Sequence, residues 1–201
     1  MAGTARERAE RRAKERSVTR ASILDAARRV ASNGGARNLS LRSVAAEAGF
    51  VPAALYSYFD NKNELLLALA AEDLSSVARA MRTAAQGTGC GSGRLAAASA
   101  VALSLLQRTE TIAAASSALP AVSGTSEAER IFNGKLIAVL TALSDATGVG
   151  AQSRDAQGDV VVLAAALTGL AVMGRTGRLD ALGFTSDELV ARLEARFSRK
   201  L

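Results

Sequence analysis

Histidine and tryptophan are absent from this 201-residue sequence, cysteine occurs once and proline twice. With no imidazole and a single thiol, Ser-His-Asp triads, Cys-His nucleophile pairs and zinc sites are excluded, and neither a metal nor a cofactor is expected. One cysteine cannot close an internal disulfide, which points to a reducing compartment and a cytoplasmic location. The charged N-terminus lacks the apolar stretch of a signal peptide. The longest strongly apolar run, 160–173, is 14 residues long. A bilayer span needs about 20, so no membrane partner is expected. Paired carboxylates and a Gly-rich phosphate loop are also missing, which argues against an enzyme.

Apolar residues make up 49% of the chain and charged residues 22%, the composition of a globular protein. Abundant Ala, Leu and Arg, with few β-branched runs, favour an all-α fold of about nine helices and no sheet. The charge is unevenly placed. Residues 1–62 hold 12 basic and six acidic side chains, whereas the rest of the chain carries 13 of each. All of the +6 net charge therefore belongs to the N-terminal third. Such a footprint fits a nucleic-acid-binding module joined to a neutral body, or a solvated basic tail with no partner. Aromatic residues are scarce, yet Phe50, Tyr56, Tyr58 and Phe59 fall within ten positions. Two tyrosine hydroxyls so close together need polar partners, and phosphate oxygens would serve.

Residues 1–17 alternate Arg, Lys, Glu and Ala with almost no apolar stripe, and read as a mobile basic arm or a charged helical extension. An N-cap at Thr19, with a Val18–Ile23 staple, is expected to open the first helix, and Asn33-Gly34-Gly35 to end it. Ser40 caps a second helix with Leu41, Val44, Ala45 and Ala48 on its inner face, closed by Gly49. Pro52 suits the first position of a short helix expected over 52–58. Asn61 to Glu64 open a long fourth helix. Further helices are expected near 94–108, 109–118, 126–146 and 152–174, with a loop over 174–183. Thr185 to Glu188 form a capping box for the last one.

The first three helices read as a helix-turn-helix unit, whose third helix enters the major groove. Pro52, Ala53 and Ala54 are small enough to let the backbone approach base edges. Arg42 is the candidate for a bidentate contact to guanine, Tyr56 and Tyr58 reach phosphates, and Lys62 adds a charge-assisted contact. Three stretches, 23–27, 41–49 and 52–66, strongly resemble the N-terminal domain of the TetR family of bacterial transcriptional regulators. The run Leu55-Tyr56-Ser57-Tyr58-Phe59-Asp60-Asn61-Lys62 is the most specific part. Residue by residue, the resemblance implies DNA contacts from Ser40, Arg42, Ser43, Pro52, Ala53, Ala54, Tyr56, Tyr58 and Lys62. Val51 departs from the pattern, since the family often has a capping Ser there.

The resemblance implies a division into a basic arm (1–18), a DNA-binding domain (19–66) and a helical body for effector binding and dimerisation (67–201). It implies a homodimeric repressor, released from a pseudo-palindromic operator by a small apolar or neutral ligand. A constitutive DNA-binding protein without an effector is the alternative. A pocket would lie among Leu103, Leu106, Gln107, Phe132, Leu136 and Met173, which serve equally well as core. The helix near 152–174 is apolar almost all round and, with the last helix, is expected to form the dimer seam, Leu167 included. Cys90 sits in a glycine-rich loop with no adjoining basic residue, which suits an incidental surface thiol.

Overall fold

The computed structural model describes residues 2–88, 93–118, 126–148 and 153–198. It is all-α, with no strand among the described residues. The helices are α1 (Ala2–Gly34), α2 (Leu41–Ala48), α3 (Pro52–Leu55), α4 (Lys62–Gly87), α5 (Arg94–Arg108), α6 (Thr111–Ala118), α7 (Glu127–Thr147), α8 (Arg154–Arg175), α9 (Arg178–Ala181) and α10 (Ser186–Phe197). Among the described residues the expected nine become ten because α9, a single turn, forms within the stretch expected to be loop. Cys90 lies outside the described residues.

The largest departure from expectation is α1. It runs unbroken for 33 residues, so the basic arm and the first helix are one element. Thr19 caps nothing: its hydroxyl donates to the Glu15 carbonyl one turn back, and Val18 is exposed. Ala, Arg, Glu and Lys are strong helix formers, and the ion pairs Arg6–Glu10 and Arg11–Glu15 each span one turn. Summed over sixteen positions, propensity outweighs one capping signal.

Elsewhere the caps fall where expected. The Ser40 hydroxyl accepts from the Ser43 amide and the Ser43 hydroxyl from the Ser40 amide, both at 3.0 Å. Gly49 closes α2 at φ 74°, a backbone conformation costly for any other residue. The Thr185 and Glu188 box opens α10. A short α3 replaces the helix expected over 52–58. No side chain caps Val51, and after Leu55 the chain continues as turns, with the Ser57 and Tyr58 amides bonded three residues back.

Helix α4 is the axis of the fold and packs against α5, α6 and α7. From Leu65 to Ala71 every side chain is buried, which requires neighbours on all sides. Its first half shares a core with Ile23, Leu24, Val44, Leu55 and Phe59 of the N-terminal helices. Ile112, Ala115, Ala128 and Phe132 from α6 and α7 complete that same core. Its second half packs with α5, α7 and α8 around Met81, Leu95, Leu143 and Leu163. Positions 18 and 66 both fall inside continuous helices.

Helix α8 needs two corrections. Its most apolar window has a mean hydropathy of 1.7 within 22 residues, enough by length and composition to cross a membrane. The 14-residue run understated it because helix length, not the run alone, sets the reach. Second, Leu167 is not at a free surface: Val160, Leu163, Leu167 and Ala171 form the buried stripe facing the protomer's own core. Val161 and Val162, 56% and 57% exposed, lie on the outer face.

Candidate nucleic-acid interface

Leu41, Val44 and Ala45 anchor α2 on the core, and the opposite side of that helix must face outward. Arg42 projects there, exposed and without an ion pair among the described residues. Ser40 and Ser43 are half-buried, and their hydroxyls are spent on the capping box and on the Asn38 and Ser40 carbonyls. Their part is to fix where α2 starts. A 2.5 Å ion pair from Arg29 to Glu47 ties α1 to the end of α2.

Leu55 and Phe59 are buried, so the backbone between them is pinned to the core from both ends. Pro52 and Ala53 are exposed and Ala54 half-buried, leaving a smooth surface with no long side chain in front of the α3 backbone. Tyr56 is 59% exposed. Tyr58 is half-buried. Lys62 opens α4 and is exposed, beside the Asn61 side chain that accepts from the Glu64 amide. Arg42, Pro52, Ala53, Tyr56 and Lys62 are thus all solvent-facing and come from α2, from α3 with the turn after it, and from the first residue of α4.

Two contributors escaped the sequence reading. The Arg16 guanidinium donates to the Ser57 carbonyl and lies over the Tyr58 ring, 4.9 Å from its centroid. Arg20 lies 4.9 Å from the centroid of Phe59. Both are cation–π contacts that fix α1 against the turn after α3. The signal was the four-residue spacing of Arg16 and Arg20, which places them on one side of a helix.

The ligand residues proposed from sequence are divided between core and surface, and Leu106 packs against both the Phe132 cluster and the Leu103 cluster. Phe132 is in the N-terminal core, Leu103 in a small cluster with Ala171 and Val190 near the half-buried Leu106, and Leu136 is exposed on α7. Gln107 reaches the Ser186 hydroxyl at 3.4 Å, and Met173 lines an open groove between α8 and α10 of about 620 Å³. A smaller cleft, about 220 Å³, lies between α1, α4 and the α5–α6 connection. Asp73 is its centre, accepting from Arg28 at 3.0 Å, from Thr109 at 3.1 Å and from Thr111. Burial lowers the Arg28 pKa, but the Asp73 and Glu72 carboxylates more than offset this and hold it above the ordinary value. Arg28 is therefore a permanent cation joining α1 to α4.

Comparison with known proteins agrees with this arrangement. Residues 23–69 match the family described as bacterial regulatory proteins, tetR family. No curated protein matches the sequence. A protein with unknown function from Rhodococcus sp. RHA1 is 24% identical with a TM-score of 0.69, over 90% of this chain and 94% of its own. A bacterial regulatory protein in the tetR family, from Rhodococcus RHA1, is 18% identical with a TM-score of 0.60, over 91% and 98%. The transcriptional regulator FadR from Bacillus subtilis, solved in complex with stearoyl-CoA, is 19% identical with a TM-score of 0.61, over 90% and 98%. At these identities the likeness is one of fold. The match over 23–69 falls on the helices that build the exposed edge from Arg42 to Lys62, and identifies this part of the chain as a domain of the tetR family of bacterial regulatory proteins.

Proposed function

We propose that the chain is a homodimeric repressor of the bacterial cytoplasm that binds a pseudo-palindromic operator and is released by a small apolar or neutral ligand. In this reading 19–66 bind DNA, 1–18 are the basic arm, and 67–201 dimerise and hold the effector. Arg42 reads guanine, Pro52, Ala53 and Ala54 admit the backbone to the groove, and Tyr56, Tyr58 and Lys62 bind phosphates. Ser40 and Ser43 set the start of α2.

The observation that carries the reading is a pairing of surfaces within one protomer. The Arg42–Lys62 edge is exposed and carries a cation at each end, while the outer face of α8 is apolar and exposed at Val161, Val162 and Val172. This edge offers few hydrogen-bonding side chains to bases, so one copy reads little sequence. Two copies joined through α8 and α10 double the contacts and impose a two-fold symmetric site. FadR, solved with stearoyl-CoA, holds a long acyl chain on an anionic carrier, and supports for a body of this fold only the apolar part of such a ligand. Selection from a random duplex pool, with sedimentation of the same protein, tests the reading. A palindromic consensus bound by a dimer is expected; a monomer, or binding without sequence preference, would overturn it. Addition of stearoyl-CoA to the complex should release the DNA if the effector is of that class.

A further inference from the structure

Arg8, Arg12, Arg16 and Arg20 stand four residues apart along α1. Four residues are just over one turn, so these side chains form a slowly winding ridge with a cation about every 6 Å. Two of the three acids of this stretch are committed elsewhere, Glu10 to Arg6 at 2.9 Å and Glu15 to Arg11 at 3.6 Å, which leaves Glu7. Arg8 and Arg12 are exposed and make no ion pair among the described residues.

The lower rungs show where the ridge is rooted. Arg16 binds the Ser57 carbonyl and covers Tyr58, and Arg20 covers Phe59. Those residues form the turn after α3, next to exposed Tyr56. The ridge therefore starts beside the candidate DNA edge and runs away from it, and residues 2–15 carry it about 20 Å further.

We propose that the N-terminal extension of α1 is a second DNA-binding element, in which Arg8 and Arg12 engage backbone phosphates outside the half-site read by α2 and α3. The proposal rests on the DNA-binding reading above. Because Arg16 and Arg20 hold the root of the helix, docking orders little new chain, and a floppy basic tail would lose far more entropy. Position along the helix then matters, not the number of charges. Arg6 and Lys14 each lie about 140° around the helix from the mean direction of Arg8 and Arg12, and would not meet the same phosphates. Phosphates carry no base identity, so the element lengthens the footprint and adds affinity without changing the preferred sequence.

Salt titration of the full-length protein on a selected duplex, with flanks of about one helical turn beyond each half-site, is the test. Each lost phosphate contact lowers the slope of log K against log salt by about 0.9, so R8A/R12A should lower it by about 1.8 per protomer and shorten the footprint. R6A/K14A removes the same formal charge and should lower it by less than half as much. Ala13→Pro keeps every charge but breaks the helix, and should behave as R8A/R12A. Equal losses in both double variants, or full slope in Ala13→Pro, would overturn the ridge in favour of diffuse attraction. Unchanged slope in R8A/R12A with wild-type binding intact would overturn this proposal alone, also if that variant loses binding to phosphatidylserine vesicles. No duplex binding by the wild type would remove the DNA-binding reading itself.

Discussion

The N-terminal third and the body are built from the same residue types, yet only the first announces its task. Around α2 and α3 each position has one demand on it: Leu55 and Phe59 must be buried, Arg42 and Tyr56 must not, and Ala53 must be small. In the body, Leu103, Phe132 and Leu163 meet one common demand, burial, which any apolar residue of about the right size can satisfy. A binding surface constrains side-chain chemistry, whereas a core constrains mainly volume.

The largest expected effect tests whether the body contributes symmetry. Val161→Glu places a charge on the outer face of α8 without entering the protomer core. It should yield monomers whose operator binding falls toward the non-specific level, a loss of roughly 10³-fold or more, seen by sedimentation and operator titration. A dimeric variant with full affinity would move the seam elsewhere. Phe132→Ala probes the opposite connection, since this body residue completes the N-terminal core. It should cost about 3–5 kcal/mol and lower the melting of α1–α3 and of the body together, in one calorimetric transition. Two separate transitions would show that the halves are independent after all.

Smaller effects divide the DNA edge itself. Arg42→Ala should cost roughly 1–3 kcal/mol on the operator and relax preference at one base pair per half-site, measured by competition among operator variants. A uniform loss across all variants would reassign Arg42 to the phosphates. Tyr56→Phe removes one hydroxyl from an exposed ring. A drop of about 0.5–1.5 kcal/mol with unchanged preference is expected in the same assay.

Capping chemistry made α2, α4 and α10 legible, because Ser40, Asn61 and Thr185 each satisfy a backbone amide that would otherwise lack a partner. The same logic misled at Thr19, where a usable cap lies inside a run of strong helix formers and the hydroxyl bonds back to Glu15 instead. The edge from Arg42 to Lys62 was readable from its residue types. Its support by Arg16 and Arg20 depends on α1 being continuous through residue 18, which no local motif states. A ligand pocket is harder to read than an exposed edge, because a pocket wall and a core are made of the same side chains. Along α8 apolar residues occur on every side, so their pattern does not single out the stripe that faces the protomer's own core; Leu167 proved to be inside and Val161 outside.

The core shared by α1–α4 with α6 and α7 also limits how the molecule can be recombined. A graft cut at residue 66 would carry away Leu55, Phe59 and Leu65 but leave behind Ile112, Ala115, Ala128 and Phe132, which close over them. The transplanted head would then expose an apolar scar and adhere to whatever lay near it. Exchange of specificity between proteins of this fold should instead swap only the surface of α2 and α3, or carry α6 and the first turns of α7 along with the head. The unit of inheritance here is the shared core, and it does not coincide with the boundary suggested by charge.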